Sequence, residues 1–494
     1  MSTAKKAVLL PSLIQHDIFI KTMIDIQNAV PRMPEFRFKS PVYWHLSKGQ
    51  HWAVVGSNGA GKTLFCDILT GKIPLKEGSV TFGDACYPGA VRLIAFKNIY
   101  DMADYKSMYY QQRWNATEAD QAPLVKDLIA TWKEQDYLHE LLHYFNALEL
   151  LDKRLILLSS GELRKFLIIQ TLLAKPAVLI IDNPYIGLDA PSRILLNDLL
   201  QRIAQRQGIQ IILVLSNPDD IPDFITDVLP VSKMQLQTPV SPEAFRKQSL
   251  EALKPVSNAG QIPFPAIKDQ QDNSYEYALK MDSINIQYGS RTILKNLSWE
   301  VKRGEAWALL GPNGSGKSTL LSLVCADNPQ SYANTFYLFD RKRGSGESIW
   351  DIKKRIGYIS PELHLFYLED VPTIHIVGSG FFDSIGLYRK CNEEQQEKAL
   401  HWMEIFGIAH LQSRSFLKLS YGEQRLALLA RAFVKSPELL ILDEPLHGLD
   451  KLNKIKASHI IEQYCRKPDK TLIYVTHYQE EIPACASRIK KLPK

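Results

Sequence analysis

The stretch GSNGAGKT at 56–63 returns as GPNGSGKS at 311–318, and this recurrence limits the possible folds more than any other feature of the chain. Both copies fit GxxxxGK[ST]. Each follows a short apolar run (HWAVVG at 51–56, AWALLG at 306–311) and precedes a run of helical spacing. A loop of this kind joins a strand to a helix. Its glycines let backbone N–H groups close around phosphates, and the helix start adds its positive dipole end. Other features repeat in step. LSSGE at 158–162 returns as LSYGE at 419–423, and LIIDNPYIGLD at 179–189 returns as LILDEPLHGLD at 440–450. The offsets are 317 − 62 = 255, 420 − 159 = 261 and 443 − 182 = 261, so a whole domain is duplicated.

Between the copies, residues 239–274 carry Pro239, Pro242, Pro255, Pro263 and Pro265, and only SPEAFRKQSLEAL has a helical pattern. This predicts domains at 1–238 and 275–494, joined by a mostly extended linker at 239–274. VLIID and LLILD are continuous apolar runs, as expected of strands buried on both faces of a parallel sheet. DLIATW, LHELLHYF and ALELL, between about 122 and 157, have helical spacing, and 393–418 is similar. The expected fold class is α/β: two phosphate-loop (P-loop) NTPase domains, each a mainly parallel sheet core with a helical subdomain.

Hydrophobic content of 45% and charged content of 23% fit a soluble globular chain. The net charge of +6 comes from Lys and Arg spread along 494 residues, so there is no strong nucleic-acid signal of the clustered basic kind. Cys66, Cys86, Cys325, Cys391, Cys465 and Cys485 show no CxxC or pairing pattern, which predicts reduced thiols and a cytoplasmic location. No apolar run reaches the roughly 18 residues needed to span a bilayer, and MSTAKKAVLLPSL is too weak for a signal peptide. Work at a membrane would then place the chain at the inner face of the plasma membrane, with permease subunits supplied by other chains.

The motif assigns phosphate binding to Gly56, Ser57, Asn58, Gly59, Ala60, Gly61, Lys62 and Thr63 in the first copy. In the second it assigns Gly311, Pro312, Asn313, Gly314, Ser315, Gly316, Lys317 and Ser318, with Thr319 beside them. Lys62 and Lys317 would reach the β and γ phosphates, and Thr63 and Ser318 would ligate Mg²⁺. Kinases, GTPases and motor ATPases all use such loops, so the second motif decides. LSSGE and LSYGE each lead into a helical run, then a proline, then the strand ending in Asp182 or Asp443. With GLD and the histidine of LIYVTH added, the order resembles the ABC ATPase family along essentially the whole chain.

In that family two cassettes pack head to tail, with each ATP between one phosphate loop and the other cassette's LSGGQ-type loop. The resemblance therefore implies a first site made of Gly56 to Thr63 and Asp182 with Ser420, Gly422 and Glu423. The second would combine Gly311 to Ser318, Asp443 and Glu444 with Ser159, Gly161 and Glu162. It further implies that Asp182 and Asp443 hold Mg²⁺, that Glu444 activates water, and that His477 contacts the γ-phosphate. Tyr288 would stack on adenine. A lone strand-end histidine is ordinarily a structural hydrogen-bonder, and Tyr288 has core packing as its ordinary role; their positions relative to the motifs favour function.

The first site departs from this pattern. Asn183 stands where Glu444 does, and an amide cannot accept a proton at neutral pH as a carboxylate can. Asn217 aligns with His477 (477 − 217 = 260), and Met33 with Tyr288 (49 − 33 = 304 − 288 = 16). Because Lys62, Thr63 and Asp182 remain, the expectation is a site that holds Mg·ATP beside a second that hydrolyses it. Where the family has a glutamine, the first copy has Asn98 and the second has Pro361 and Glu362, which puts the coupling of this loop to a partner in doubt.

RKRGSGESIWDIKKRIGYIS (341–360), GSGFFDSIGLY (378–388) and NLSWEVKRGE (296–305) are similar to a twin-cassette branch of the family linked to molybdate transport and photorepair. That resemblance covers mainly 276–494 and implies an ATP-binding component of a transport system, with molybdate as cargo. The alternative is a soluble ABC ATPase acting on ribosomes or nucleic acid. Cassettes of that type carry a long charged two-helix linker; here the linker is about 36 residues with five prolines.

Overall fold

The apolar runs become the centres of two parallel sheets. In the computed structural model the described residues are 22–95 (except 85), 123–252 (except 131–132, 155–157, 159, 187, 189 and 206–207), 262–265, and 274–493 (except 289–290, 313, 362, 364–366, 368 and 387–388). In the first half the strands run in the order Val91–Ala95, Val178–Asp182, Gln210–Leu215, Trp52–Val55 and Asp227–Ser232, all parallel. In the second half the order is Ile356–Ile359, Leu439–Asp443, Thr471–Val475, Ala306–Leu310 and Arg488–Lys491, again parallel. Every residue of Val178–Asp182, Gln210–Leu215, Leu439–Asp443 and Thr471–Val475 is buried, which is why these segments read as unbroken apolar runs rather than alternating ones.

An antiparallel sheet flanks each core. In the first half it is built on Thr22–Pro31, paired with Val42–Ser47 and Leu75–Phe82; in the second, on Tyr277–Tyr288, paired with Arg291–Lys302 and Phe336–Leu338. Helices Val125–Ile129 and Gln135–Tyr144 form the first helical subdomain, and Thr373–Gly378 and Glu393–Ile405 the second. Asn392 and Gln395 close a capping box at the start of Glu393–Ile405. The six cysteines are free, four of them buried. Among the described residues no helix is long and apolar enough to cross a membrane.

The stretch between the halves is anchored at both ends. Val240 bridges to Val228, and helix Pro242–Ala252 packs Phe245 against the first core while Arg246 donates to the Ile221 carbonyl at 2.8 Å. Farther on, Phe264 packs on Trp402 and Tyr464 of the second half, at ring separations of 5.6 and 5.7 Å.

Candidate functional site

Strands Trp52–Val55 and Ala306–Leu310 lie inside their sheets, so both glycine loops emerge at the carboxyl edge, where ligands bind in open parallel sheets. Helices Lys62–Leu69 and Lys317–Val324 follow at once. Gly61 and Gly316, at the N-caps, have φ of +107° and +88°, a conformation that costs a side chain and leaves glycine free. Lys62 Nζ donates to the carbonyls of Gly56 (2.7 Å) and Ser57 (2.9 Å), and Lys317 Nζ to those of Gly311 (2.7 Å) and Pro312 (2.9 Å). Both ammonium groups thus sit at the centre of their loops. Burial lowers the Lys62 pKa to about 8, against the opposing pull of Asp182, Asp450 and Glu423.

Asp182 and Asp443 end the strands one place removed from those leading into the loops and are buried, whereas Thr63 is exposed and Ser318 half-buried. Among the described residues no three His, Cys, Asp or Glu side chains cluster as a metal cage. One hydroxyl and one carboxylate per site suit Mg²⁺, which keeps waters and takes its remaining ligands from phosphate oxygens. The donor set therefore fits Mg·ATP. Ala60, Ser315 and Thr319 are buried in or beside the loops; Asn313 lies outside the described residues.

After the strand-end aspartates the two halves part. Glu444 and Asn183 share one backbone geometry, with φ of 47° and 52°. Each donates its N–H to the next strand, Glu444 to Val475 and Asn183 to Val214, both at 2.9 Å. Their side chains differ. The Glu444 carboxylate receives His477 Nε2 at 2.9 Å on one oxygen and faces His447 Nδ1 at 3.6 Å on the other. Burial pushes its pKa up, but the His477 hydrogen bond and the charge of buried Arg425 outweigh this and hold the carboxyl below its ordinary range. Burial also lowers His447, to about 3, so that imidazole is neutral. Asn183 instead donates to Asp182 Oδ1 at 2.7 Å and accepts from Ser216 Oγ at 3.3 Å. Val214 pairs with Asp182 and Val475 with Asp443, an offset of 261, so the residue in the place of His477 is Ser216 and not, as the sequence spacing suggested, Asn217; Asn217 caps the short turn Pro218–Asp220 by accepting from Asp219 N at 3.2 Å.

The halves meet at the first phosphate loop. Asn58 N donates to Asp450 Oδ2 at 2.9 Å, and Asn58 Nδ2 to the Gly448 carbonyl at 3.2 Å. A Cβ added at Gly422 would lie 1.8 Å from Asn58 Nδ2, and one at Gly59 would lie 2.7 Å from Glu423 Oε1. The loop of the first half is therefore seated on the start of helix Tyr421–Phe433 in the second. Ser420 and Glu423 cap that start reciprocally, with the Ser420 hydroxyl donating to Glu423 at 2.7 Å. The other face differs: a Cβ at Gly314, the counterpart of Gly59, meets nothing within 4 Å. Gly161 lies in helix Ser160–Leu172, Glu162 pairs with Lys153 at 2.5 Å, and Ser159 lies outside the described residues.

Tyr288 ends its strand half-buried, its hydroxyl accepting from the buried Asn328 at 2.9 Å. Met33 follows the strand Thr22–Pro31 and is 48% exposed. Pro361 is half-buried; Asn98 and Glu362 lie outside the described residues. Sequence reasoning missed three groups. Arg425, fully buried, donates to the carbonyls of Ser360, Asp443, Glu444 and Pro445 and so fixes the backbone that carries Glu444. Asp450 caps helix Lys451–Cys465 as well as receiving Asn58. His447 faces Glu444. The repeat itself was a usable signal, since Arg164 and Arg425 share the 261-residue offset (425 − 164 = 261).

Twin parallel cores, each carrying a phosphate loop, with the first loop seated on the other half, define a tandem nucleotide-binding protein. The family model described as ABC transporter matches residues 40–186 and 294–447, and the chain belongs to that family. It is similar to the ABC transporter ATP-binding protein ModF of Escherichia coli (strain K12), 37% identical over 472 residues, which covers 91% of this chain and 92% of that one. An uncharacterized ABC transporter ATP-binding protein of Schizosaccharomyces pombe is 29% identical over 480 residues, 92% of this chain and 94% of its own length. In fold, the chain resembles the archaeal ribosome recycling factor aABCE1, solved in complex with the ribosomal stalk protein aP1, with a TM-score of 0.52 at 18% identity over 94% of this chain and 87% of that one. The chain is thus a tandem ABC ATP-binding protein.

Proposed function

We propose that this protein hydrolyses Mg·ATP at the site carrying Glu444 and holds Mg·ATP, with little or no turnover, at the site carrying Asn183. The observation that carries the reading is the pairing of Glu444 with His477 at 2.9 Å, against an amide at the same backbone position in the other half. In the hydrolytic site Lys317 and the loop N–H groups bind the β and γ phosphates, and Ser318 and Asp443 hold Mg²⁺, which neutralises charge on the phosphates. Glu444 orients the attacking water and accepts its proton. His477 keeps the carboxylate aimed and approaches the γ-phosphate; Tyr288 stacks on the base. Ser159 and Gly161 close the site from the first half. In the holding site Lys62, Thr63 and Asp182 bind Mg·ATP, and Ser420 and Gly422 clamp it, while Asn183 leaves the water without a base.

The chain then serves as the cytoplasmic ATP-binding component of a transport system whose permease is made by other chains, with molybdate as the cargo to test first. The likeness to an ABC transporter ATP-binding protein over nearly the whole chain supports this role. The test is steady-state ATPase of the wild type beside Glu444→Gln and Asn183→Glu, with nucleotide binding measured on each. Glu444→Gln should lower turnover by about 10²- to 10⁴-fold while ATP still binds. A variant keeping half the wild-type rate would place hydrolysis at the Asn183 site and overturn the reading.

A further inference from the structure

We propose that Tyr478 and Arg193 are positioning residues, forming a strap through which the first cassette, gripped at the Leu188 carbonyl, sets the placement of His477 against Glu444. Tyr478 directly follows His477 on the loop leaving strand Thr471–Val475. Its hydroxyl crosses between the halves and donates to the Leu188 carbonyl at 2.7 Å. The guanidinium of Arg193, also from the first half, lies over the Tyr478 ring at 5.3 Å and over Tyr185 at 5.2 Å. Asp220 holds that guanidinium at 2.8 Å. Tyr478 is thus bonded at its hydroxyl and stacked on its face by one partner cassette.

The contact reaches the holding site within a few residues. Ile186 N donates to the Asn183 carbonyl at 3.4 Å and Leu188 N to the Tyr185 carbonyl at 3.3 Å, so a run of turns links Asn183 to the oxygen that Tyr478 grips. Asn183, Asn217, His447 and Tyr478 line one small cavity between the halves. Displacement of the loop after Asn183 must therefore move Tyr478, and with it the adjacent His477.

Duplication makes this contact informative. Arg193 and Asp220 have counterparts at the 261-residue offset, Lys454 and Glu481, which pair at 2.6 Å. At the same offset Tyr478 corresponds to Asn217 (478 − 217 = 261), which has no phenol; its side chain turns back to accept from Asp219 N at 3.2 Å. The ion pairs are two-fold, but the strap runs one way, from the histidine loop of the hydrolytic site to the loop of the holding site. Simple packing of two similar cassettes would not require that polarity. A device reporting the holding site to the hydrolytic one would.

The inference rests on the reading of Glu444 as the hydrolytic carboxylate, so the test includes Glu444→Gln. The full-length chain would be compared with Tyr478→Phe, which keeps the stacked ring, with Arg193→Ala and Arg193→Lys, and with Lys62→Ala, which disables the holding site. Tyr478→Phe should lower kcat roughly 3- to 10-fold, as for one lost neutral hydrogen bond, with KM unchanged. Arg193→Ala should do the same, and Arg193→Lys should recover much of the loss by keeping a cation over the ring. Lys62→Ala should lower kcat in the wild-type background but add nothing to Tyr478→Phe, the mark of two changes acting through one contact. Wild-type kcat in Tyr478→Phe, a change confined to KM, or independent multiplication of the two effects would overturn the strap. Retained turnover in Glu444→Gln would instead overturn the reading of the hydrolytic site, whatever Tyr478→Phe does.

Discussion

Glu444 and Asn183 occupy left-handed backbone that side chains other than asparagine and aspartate rarely adopt. Such a position costs a glutamate on the order of 1 kcal/mol or more, so the second cassette stores strain to aim its carboxylate, and asparagine relieves that strain in the first. Lys62 shows another local conflict. Burial lowers its pKa to about 8, so the cost of keeping an ammonium there is present below pH 8 and fades as pH rises through it. Phosphate binding needs the ammonium. In a Lys317→Ala chain, where the first site alone binds, ATP affinity should therefore fall by up to about tenfold per pH unit above that value. Lys62→Arg, charged throughout, should flatten the profile. Fluorescent-nucleotide titration at about pH 7, 8 and 9 reads this; an unchanged slope in Lys62→Arg would show that another group titrates.

At the scale of elements, helix Tyr421–Phe433 joins a local device to a long-range one. The Ser420 and Glu423 capping box is legible in LSYGE, because a capping box is a pattern within four residues. That Gly422 also receives Asn58 of the other half is not, because it depends on how two separately folded cores are placed. The same holds for Asp450: its cap on Lys451–Cys465 is local, while its bond to Asn58 spans 392 residues of sequence. Gly422→Ala should test the closure directly. A methyl would overlap Asn58 Nδ2, at a cost of about 1–3 kcal/mol for overpacking, and ATPase should fall roughly tenfold or more. Alanine favours helix over glycine, so far-ultraviolet circular dichroism should show an intact fold. Wild-type ATPase in Gly422→Ala would mean that this contact is not the working one.

At the scale of the molecule, duplication, the two sheets and both phosphate loops were legible because period, spacing and apolar runs are written locally. The linker was legible only in part. Its prolines describe backbone, and helix Pro242–Ala252 falls on the one stretch with helical pattern, but nothing local says where Phe245 and Phe264 dock. Their partners lie in the two different cores, so the described parts of this stretch, helix Pro242–Ala252 and residues 262–265, rest on different halves. The second anchor has several parts: Ile262 N donates to Gln463 Oε1 at 2.8 Å, His401 Nε2 donates to the Pro263 carbonyl at 2.7 Å, and Lys467 lies over the Phe264 ring at 4.9 Å. Phe264→Ala would remove a ring from the face of the buried Trp402. A fully buried Phe→Ala change costs 3–5 kcal/mol, and Phe264 is half-buried, so about 2 kcal/mol is expected. Denaturant unfolding followed by tryptophan fluorescence should show a lower midpoint with an unchanged slope, while ATP binding at the Lys62 site is kept. A loss below about 0.5 kcal/mol, the range of ordinary surface changes, would show that the linker rests on the second cassette without holding it.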